Sequence, residues 1–348
     1  MRKNYYHYID VARLVSALAI ILIHVSTAVL YMYGSVDKSS WLVAVFLNSA
    51  MRWGTPVFIM ISGTLLLRSS SADDMRLFYK KRSSKILIPL VFWCVFYFYL
   101  GVILNKSDSS FGAFLNLMWT GGTYYHLYFL FLIMGLYIIT PFLRLGIKNN
   151  WGSKTKIVLF VSLLGGVVYT WLTSWGYLKE TKNILWMFIP YIGYYLSGYY
   201  LSEVILKKKL IPYLWVVIEL MLVITFLGTL WLIPSYGYDS KGMFFLHRLN
   251  LNTVLIALII FWKLTKINFE KLLNNRTENI IKFLASLSMG VYLIHPAVLE
   301  IFQKVSVFMS VKRDYPIMWM GVAYVFTIIL SFGLVSVIRR IPVLNRVV

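Results

Sequence analysis

The chain has 348 residues, 59% hydrophobic and 17% aromatic with only 14% charged, a balance too apolar to cover a water-soluble domain of this size. The formal net charge is +21, but the basic residues sit in short loops between apolar runs, so membrane topology accounts for them and no nucleic-acid partner is expected. Cys94 is the single cysteine, which excludes an intramolecular disulfide.

The apolar runs predict an all-α, polytopic integral membrane protein. Barrel strands would be about ten residues long and would alternate apolar with polar positions. Ten candidate spans lie near residues 11–33, 41–67, 85–104, 125–143, 157–175, 184–205, 210–233, 249–262, 281–302 and 317–338. The second is long, with Pro56 expected to kink it, and the eighth is short. The loops on the side of the N-terminus, from Arg2 and Lys3 to Arg346, hold 23 Lys and Arg, against nine in the alternate loops. This bias and the even number of spans predict that both termini are cytoplasmic. The first run lacks a small-residue cleavage site and is expected to stay as a span. No loop is long enough to fold separately, so residues 1–348 read as one membrane-embedded domain.

In chain order, the first span carries Asp10, Arg13 and His24 in an otherwise apolar run. Eleven helical steps separate Arg13 from His24, only about 20° off three full turns, so both share one face about 16 Å apart along the axis. Asp10 lies one turn before Arg13, within pairing reach. Ionisable groups inside a span point to function; the competing reading is that Asp10 and Arg13 snorkel and His24 is a satisfied core histidine. The second span contains Arg52, Pro56, Ser62 and Gly63. Arg52 is about 16 Å from Trp41 and needs an anionic partner, such as Asp10, or a water-filled cavity. The third span opens on Lys80-Lys81-Arg82-Ser83-Ser84-Lys85. Such a cluster sets topology or touches anionic lipid, or it forms a phosphate-binding rim.

The fourth span opens with Tyr124-Tyr125-His126-Leu127-Tyr128, expected at the outer surface as an interface belt or a shelf for a sugar face. In the ninth span, Ser288, Tyr292 and His295 fall at i, i+4 and i+7 on one face. They act as interhelical glue or as part of a pocket, since His295 lies at nearly the depth of His24. His7, His247 and Arg248 receive no role. No metal motif, GxSxG elbow or Walker loop is present.

These motifs together resemble the acyltransferase-3 family of integral membrane O-acyltransferases. The basic residue, ten-residue spacer and histidine of its first span match Arg13 and His24. Its second-span pattern matches Thr55-Pro56-Val-Phe-Ile-Met-Ile-Ser62-Gly63, and its basic entrance to the third span resembles Lys81-Arg82-Ser-Ser-Lys85. Tyr125-His126-Leu-Tyr-Phe-Leu and Tyr292-Leu-Ile-His295-Pro296 match the later patterns. Within the family, Leu47–Arg52 and Tyr125-His126-Leu127 look closest to the enterobacterial common antigen O-acetyltransferase type. Lys85 stands where many relatives carry arginine, keeping the charge but not the planar fork.

The resemblance implies acetyl transfer from cytoplasmic acetyl-CoA to a hydroxyl of a surface polysaccharide or its lipid-linked precursor, in the cytoplasmic membrane of a bacterium. Arg13, Lys81, Arg82 and Lys85 would hold the phosphates, and His24 would act as general base or carry a transient acetyl group. Asp10 would orient Arg13, Arg52 or Tyr292 would stabilise the oxyanion, and His295 would belong to the same catalytic group, flanking one pocket with His24. Ser62 and His126 would contact substrate, and no metal is expected. The rival reading is a transporter or exporter of a glycan or small anion, with Arg13 and Arg52 as counter-ions. The sequence speaks against it through the absence of a visible inverted repeat and the few acidic residues in the spans.

Overall fold

The computed structural model describes residues 7–68, 74–105, 108–148, 152–179 and 183–348, and the chain within them is helical with no strand. Arg2, Lys3, Lys106 and Lys182, which entered the loop-charge count, lie outside the described residues. The helices are α1 (His7–Leu30), α2 (Lys38–Met51), α3 (Gly54–Leu67), α4 (Met75–Asn105), α5 (Phe111–Thr120), α6 (Tyr128–Lys148) and α7 (Gly152–Ser174). They continue with α8 (Ile192–Leu201), α9 (Ile211–Tyr236), α10 (Leu251–Lys266), α11 (Phe269–Leu272), α12 (Asn275–Lys304), α13 (Ser306–Asp314) and α14 (Pro316–Ile338). Among the described residues, nine stretches are long and apolar enough to cross a membrane. The chain is a polytopic membrane protein.

α1 is the hub and packs against α2, α3, α10, α12 and α14. Its buried Ala12, Ala17 and Ala19 let neighbouring backbones approach. Gly54, the first residue of α3, rests on Ser16, Ala19 and Ile20. By contrast, α7, α9 and α14 turn Phe160, Trp215 and Ile329 outward, an apolar surface suited to lipid.

Side-chain contacts define two faces. One gathers the ion pair His7–Glu278 (3.3 Å), Arg68 on Ser202 (2.7 Å), Lys266 on the Ser202 carbonyl (2.9 Å) and Arg339 on Ser286 (2.5 Å). The start of α1 and the end of α14 thus share the face of the basic loops. The opposite face gathers the Tyr238 hydroxyl on the Leu30 carbonyl (2.9 Å) and Thr170 with His247 (3.2 Å).

Two expectations are corrected. The second span is not merely kinked at Pro56: α2 ends at Met51 and α3 begins at Gly54, with Arg52 and Trp53 in the turn between them. Proline has no N–H for the carbonyl four residues back, which here belongs to Arg52. The ladder resumes with the Val57 N–H on the Trp53 carbonyl at 3.1 Å.

The sixth run is not a long helix either. It makes turns, a 3-10 turn at Ile189–Tyr191 with Pro190 near its start, and then the ten-residue α8. Ten helical residues cover only about 15 Å, half a bilayer core of about 30 Å. The segment still connects the two faces. Its Ile184 N–H bonds the Trp119 carbonyl (3.3 Å), and its Val204 carbonyl accepts from Trp262 Nε1 (2.9 Å). Non-helical backbone at this depth is tolerated where protein surrounds it.

α8 lies very close to α3. A Cβ on Gly63 would fall onto the Tyr195 carbonyl, and one on Gly198 would fall onto the Met60 carbonyl. Thr64 Oγ1 closes the crossing by donating to the Gly198 carbonyl at 2.6 Å. Small residues are what such a backbone approach requires.

Candidate active site

On α1, Arg13 Nη1 lies 3.8 Å from Asp10 Oδ1, the pairing expected from their spacing. Three turns further on, His24 is partly exposed and meets a cluster of rings. Its ring centroid is 4.8 Å from that of Tyr125 and 5.3 Å from that of His295. The His126 ring in turn stands 5.9 Å from His295 and 5.5 Å from Tyr292.

Pro296 lies inside α12 directly after His295. It interrupts the helical ladder, and the Tyr97 hydroxyl enters the gap. It donates to the Leu293 carbonyl (2.6 Å) and accepts from the Ala297 N–H (3.2 Å). His295 Nδ1 contacts the Val291 carbonyl at 3.0 Å, so that nitrogen carries the proton and Nε2 is the free acceptor. His295 Nε2 is buried with no hydrogen-bond partner.

His126 departs from its expected place at the outer surface: it is 1% exposed. The turn before α6, with Leu127 N–H on the Tyr124 carbonyl (3.0 Å) and Phe129 N–H on the His126 carbonyl (3.2 Å), sends successive side chains opposite ways. Tyr125 stays 50% exposed while His126 tucks against Tyr97 and Tyr292. The Tyr292 hydroxyl donates to the His126 carbonyl at 2.6 Å, so it braces this turn.

Arg52, at the break between α2 and α3, does not pair with Asp10. Its guanidinium donates to Asn48 Oδ1, while its buried Nε has no partner. Asn48 Nδ2 in turn reaches Thr27 Oγ1 (2.8 Å), Ser26 Oγ (3.0 Å) and the Ile23 carbonyl (3.0 Å). It therefore ties Arg52 to α1 within a turn of His24.

Sequence reasoning left Arg248 without a role, and the fold brings it inward. The Tyr194 hydroxyl of α8 holds the Arg248 carbonyl at 2.7 Å. The guanidinium carbon lies 4.1 Å from the Tyr128 ring centroid, a cation–π contact, and the Tyr191 side chain hydrogen-bonds the head group.

Cavities converge on these groups. A chamber of about 40 Å³ is lined by Ile20, His24, Arg52, Thr55, His126, Arg248 and Tyr292 among others. It shares lining residues with two vestibules at the face where α1 ends: His24, Arg52 and Arg248 with one, Tyr125, Tyr128 and Arg248 with the other. One, of about 540 Å³, is lined by His24, Tyr31, Arg52, Tyr238, Arg248 and Glu300 among others. The other, of about 490 Å³, is lined by Tyr125, Tyr169, Trp186, Tyr191, His247 and Arg248 among others. Either vestibule is large enough for a small ligand. The innermost α1 residue of the chamber is Ile20, and Arg13 is two turns beyond it, about 10 Å.

The remaining candidates belong to the basic face. Lys81 and Lys85 are exposed and Arg82 is partly buried. The Tyr137 hydroxyl is within electrostatic reach of both Arg82 and Arg13 and lies near Ser62. Ser62 thus lies with the cations and not with the imidazoles; Ser62 Oγ also donates to the Phe58 carbonyl (3.1 Å). Lys85 borders a separate cavity of about 520 Å³ with Asn345, Arg346 and Val348. Among the described residues, no group of three His, Cys, Asp or Glu is arranged to hold a metal.

The family described as "Acyltransferase domain" matches residues 6–337. The chain is 23% identical over 346 residues to the "Probable poly-beta-1,6-N-acetyl-D-glucosamine export protein" of Staphylococcus aureus strains MSSA476, MW2 and MRSA252. The match covers 94% of this chain and 91% of each relative. No solved structure matches significantly. With the match spanning nearly its whole length, this multi-pass membrane protein belongs to the acyltransferase family defined by that domain.

Proposed function

We propose that this chain is a membrane O-acetyltransferase. It moves an acetyl group from acetyl-CoA, reached from the cytoplasm, to a hydroxyl of a cell-surface polysaccharide or its lipid-linked precursor at the bacterial cytoplasmic membrane. The observation that carries the reading is the place of His24. It stands on the same helix as the Arg13–Asp10 pair and opens into the vestibule of the opposite face. Residues 1–348 act as a single catalytic unit, with both termini on the donor side.

Donor phosphates meet Lys81, Arg82 and Lys85 first, and then Arg13, oriented by Asp10. The neutral arm of the donor follows α1 over the roughly 16 Å from Arg13 to His24, past Tyr137 and Ser62. At His24 the acceptor oxygen attacks the thioester carbonyl as its proton passes to the imidazole. The carbon–oxygen bond forms, the carbon–sulfur bond breaks, and the imidazolium returns the proton to the departing thiolate. Arg52 is the donor for the oxyanion, since the Tyr292 hydroxyl already serves the His126 carbonyl. Tyr292, His126 and His295 shape and brace the chamber around His24. The acceptor class draws support from the relatives' name and from the resemblance to the enterobacterial common antigen type.

Purified protein supplied with labelled acetyl-CoA and candidate lipid-linked saccharides tests the reading by mass spectrometry. Acetylated saccharide is expected from the wild type and none from His24→Ala, with the variant inserted and folded. Full activity in that variant removes His24 from the mechanism. The relatives' printed name favours export as the second reading. Solute flux in vesicles lacking acetyl-CoA would establish it in place of acyl transfer.

A further inference from the structure

Arg52 and Arg248 both line the chamber around His24 and the larger vestibule, within electrostatic reach of each other. Neither guanidinium lies within ion-pair distance of a carboxylate among the described residues. The carboxylates of that vestibule have other partners. Asp239 accepts from the Gly242 N–H at 2.8 Å, and Glu300 Oε1 lies 4.0 Å from Lys304 Nζ. Arg52 is held by a neutral amide and Arg248 by neutral phenol side chains. Two like charges inside a membrane protein with no carboxylate in direct contact are costly, and a ligand that brings a negative charge against them recovers part of that cost.

The two arginines differ in where they can reach. Arg52 is fixed at the chamber, beside His24 and Thr55. Arg248 lines the chamber and both vestibules, so its head group is available to a ligand lying outside the reacting centre. Aromatic side chains border it on both sides: Tyr128, Tyr169, Trp186 and Tyr191 on one, Tyr31 and Tyr238 on the other. Flat aromatic walls around a planar cation suit a sugar that carries an acidic substituent.

We propose that Arg248, with the charge of Arg52 beside it, anchors an anionic group of the acceptor, a phosphate or a carboxylate, and so holds the acceptor across the vestibules with one hydroxyl at His24. The inference rests on the acyl-transfer reading for the word acceptor; the anion site itself does not. It also separates the two substrates by face. The donor's phosphates are held on the basic side and the acceptor's charge on the other.

The test uses full-length protein in nanodiscs of neutral lipid, with thermal stability followed at constant ionic strength. Inorganic phosphate, sodium glucuronate and an isoprenoid monophosphate added to the disc are the three probes; they distinguish a free anion, a sugar carboxylate and a lipid-linked phosphate. At least one is expected to give a saturable stabilisation, with apparent affinity falling at least tenfold in Arg248→Gln. Arg248→Lys should keep part of the affinity, because an ammonium preserves the charge but not the fork. Lys241→Gln removes a cation stacked on Trp175 and Tyr236 at the same face and should change nothing. The difference between wild type and Arg248→Gln separates this site from the basic rim.

The proposal is overturned if no probe saturates, or if Arg248→Gln binds as the wild type does. Arg248-dependent binding without acetyl transfer to any acceptor would remove the acyl-transfer reading and leave the anion site standing. Transfer to a neutral acceptor with an unchanged KM in Arg248→Gln would do the reverse.

Discussion

Where α1 ends, the polar groups are held before any ligand arrives. Asn48 braces Arg52 against α1, Tyr128 and Tyr191 hold Arg248, and the Tyr97 hydroxyl fills the gap at Pro296 next to His295. Where α1 begins, Lys81 and Lys85 stand exposed, and Arg13, with its side chain 34% exposed, meets Asp10 at 3.8 Å. The first arrangement suits bond making, which gains from fixed donors and a fixed base. The second suits capture of a highly charged molecule, where long-range attraction matters more than geometry. The difference sets the scale of every substitution: large and insensitive to salt in the chamber, small and salt-dependent at the rim.

The largest effect is expected at His24. His24→Ala should lower kcat by about 10²–10⁴, the usual worth of a positioned acid–base group, with the KM for acetyl-CoA nearly unchanged. Initial-rate kinetics with labelled donor checks this. An equal loss through KM would place His24 on the capture side of the comparison.

Next comes the crossing that carries the break at Arg52. Gly198→Ala sets a methyl group against the Met60 carbonyl. Backbone cannot yield there as a flexible side chain would, and overpacking costs about 1–3 kcal/mol. A lower Tm in detergent is expected, with activity falling because α3 carries Thr55 to the chamber and begins two residues after Arg52. An unchanged Tm would mean that α3 and α8 have room to separate, and that the chamber is less rigid than the contacts indicate.

Asn48→Ala should act through Arg52. The guanidinium loses its amide acceptor and α2 loses its ties to Ile23, Ser26 and Thr27. A hydrogen bond to a charged group contributes about 1.5–3 kcal/mol, so kcat should fall by about tenfold or more. Asn48→Asp keeps an acceptor for Arg52 and should recover part of kcat. Recovery separates positioning of Arg52 from a general loosening of the helix pair, which Asp would not repair.

What could be read from the sequence follows from how local each signal is. The Arg13–His24 face needs only helical periodicity, and the rise per residue puts His295 near the depth of His24; the rings indeed lie 5.3 Å apart. Arg248 carries no such pattern. It sits in the turn between α9 and α10, and only the contacts of Tyr194 and Tyr128 bring it inside. The position of His126 at the start of the fourth span does not fix its burial, because a one-residue change of phase in a turn exchanges it with Tyr125. The sixth run has the apolar length of a span, yet Pro190 and the backbone contacts at Gly63 and Gly198 leave it a ten-residue helix. Hydropathy measures burial and does not distinguish burial in lipid from burial against another helix.

The smallest effect is expected at the rim, where it bears most directly on the contrast between the faces. Lys81 and Lys85 are exposed, and exposed ion pairs contribute about 0–1 kcal/mol each. Lys81→Ala or Lys85→Ala should therefore raise the KM for acetyl-CoA only a few-fold at low ionic strength and leave kcat alone. At about 0.5 M salt the Debye length falls to roughly 4–5 Å, and wild type and variants should converge. The same salt should barely change the defect of His24→Ala or Asn48→Ala, whose partners are enclosed by protein. If the lysine variants instead lose kcat, or keep their defect in salt, the rim forms a fitted pocket like the chamber. Lys85 is the position where that would show first, since it borders a cavity with Arg346 and the C-terminal Val348, an arrangement that Lys81 does not share.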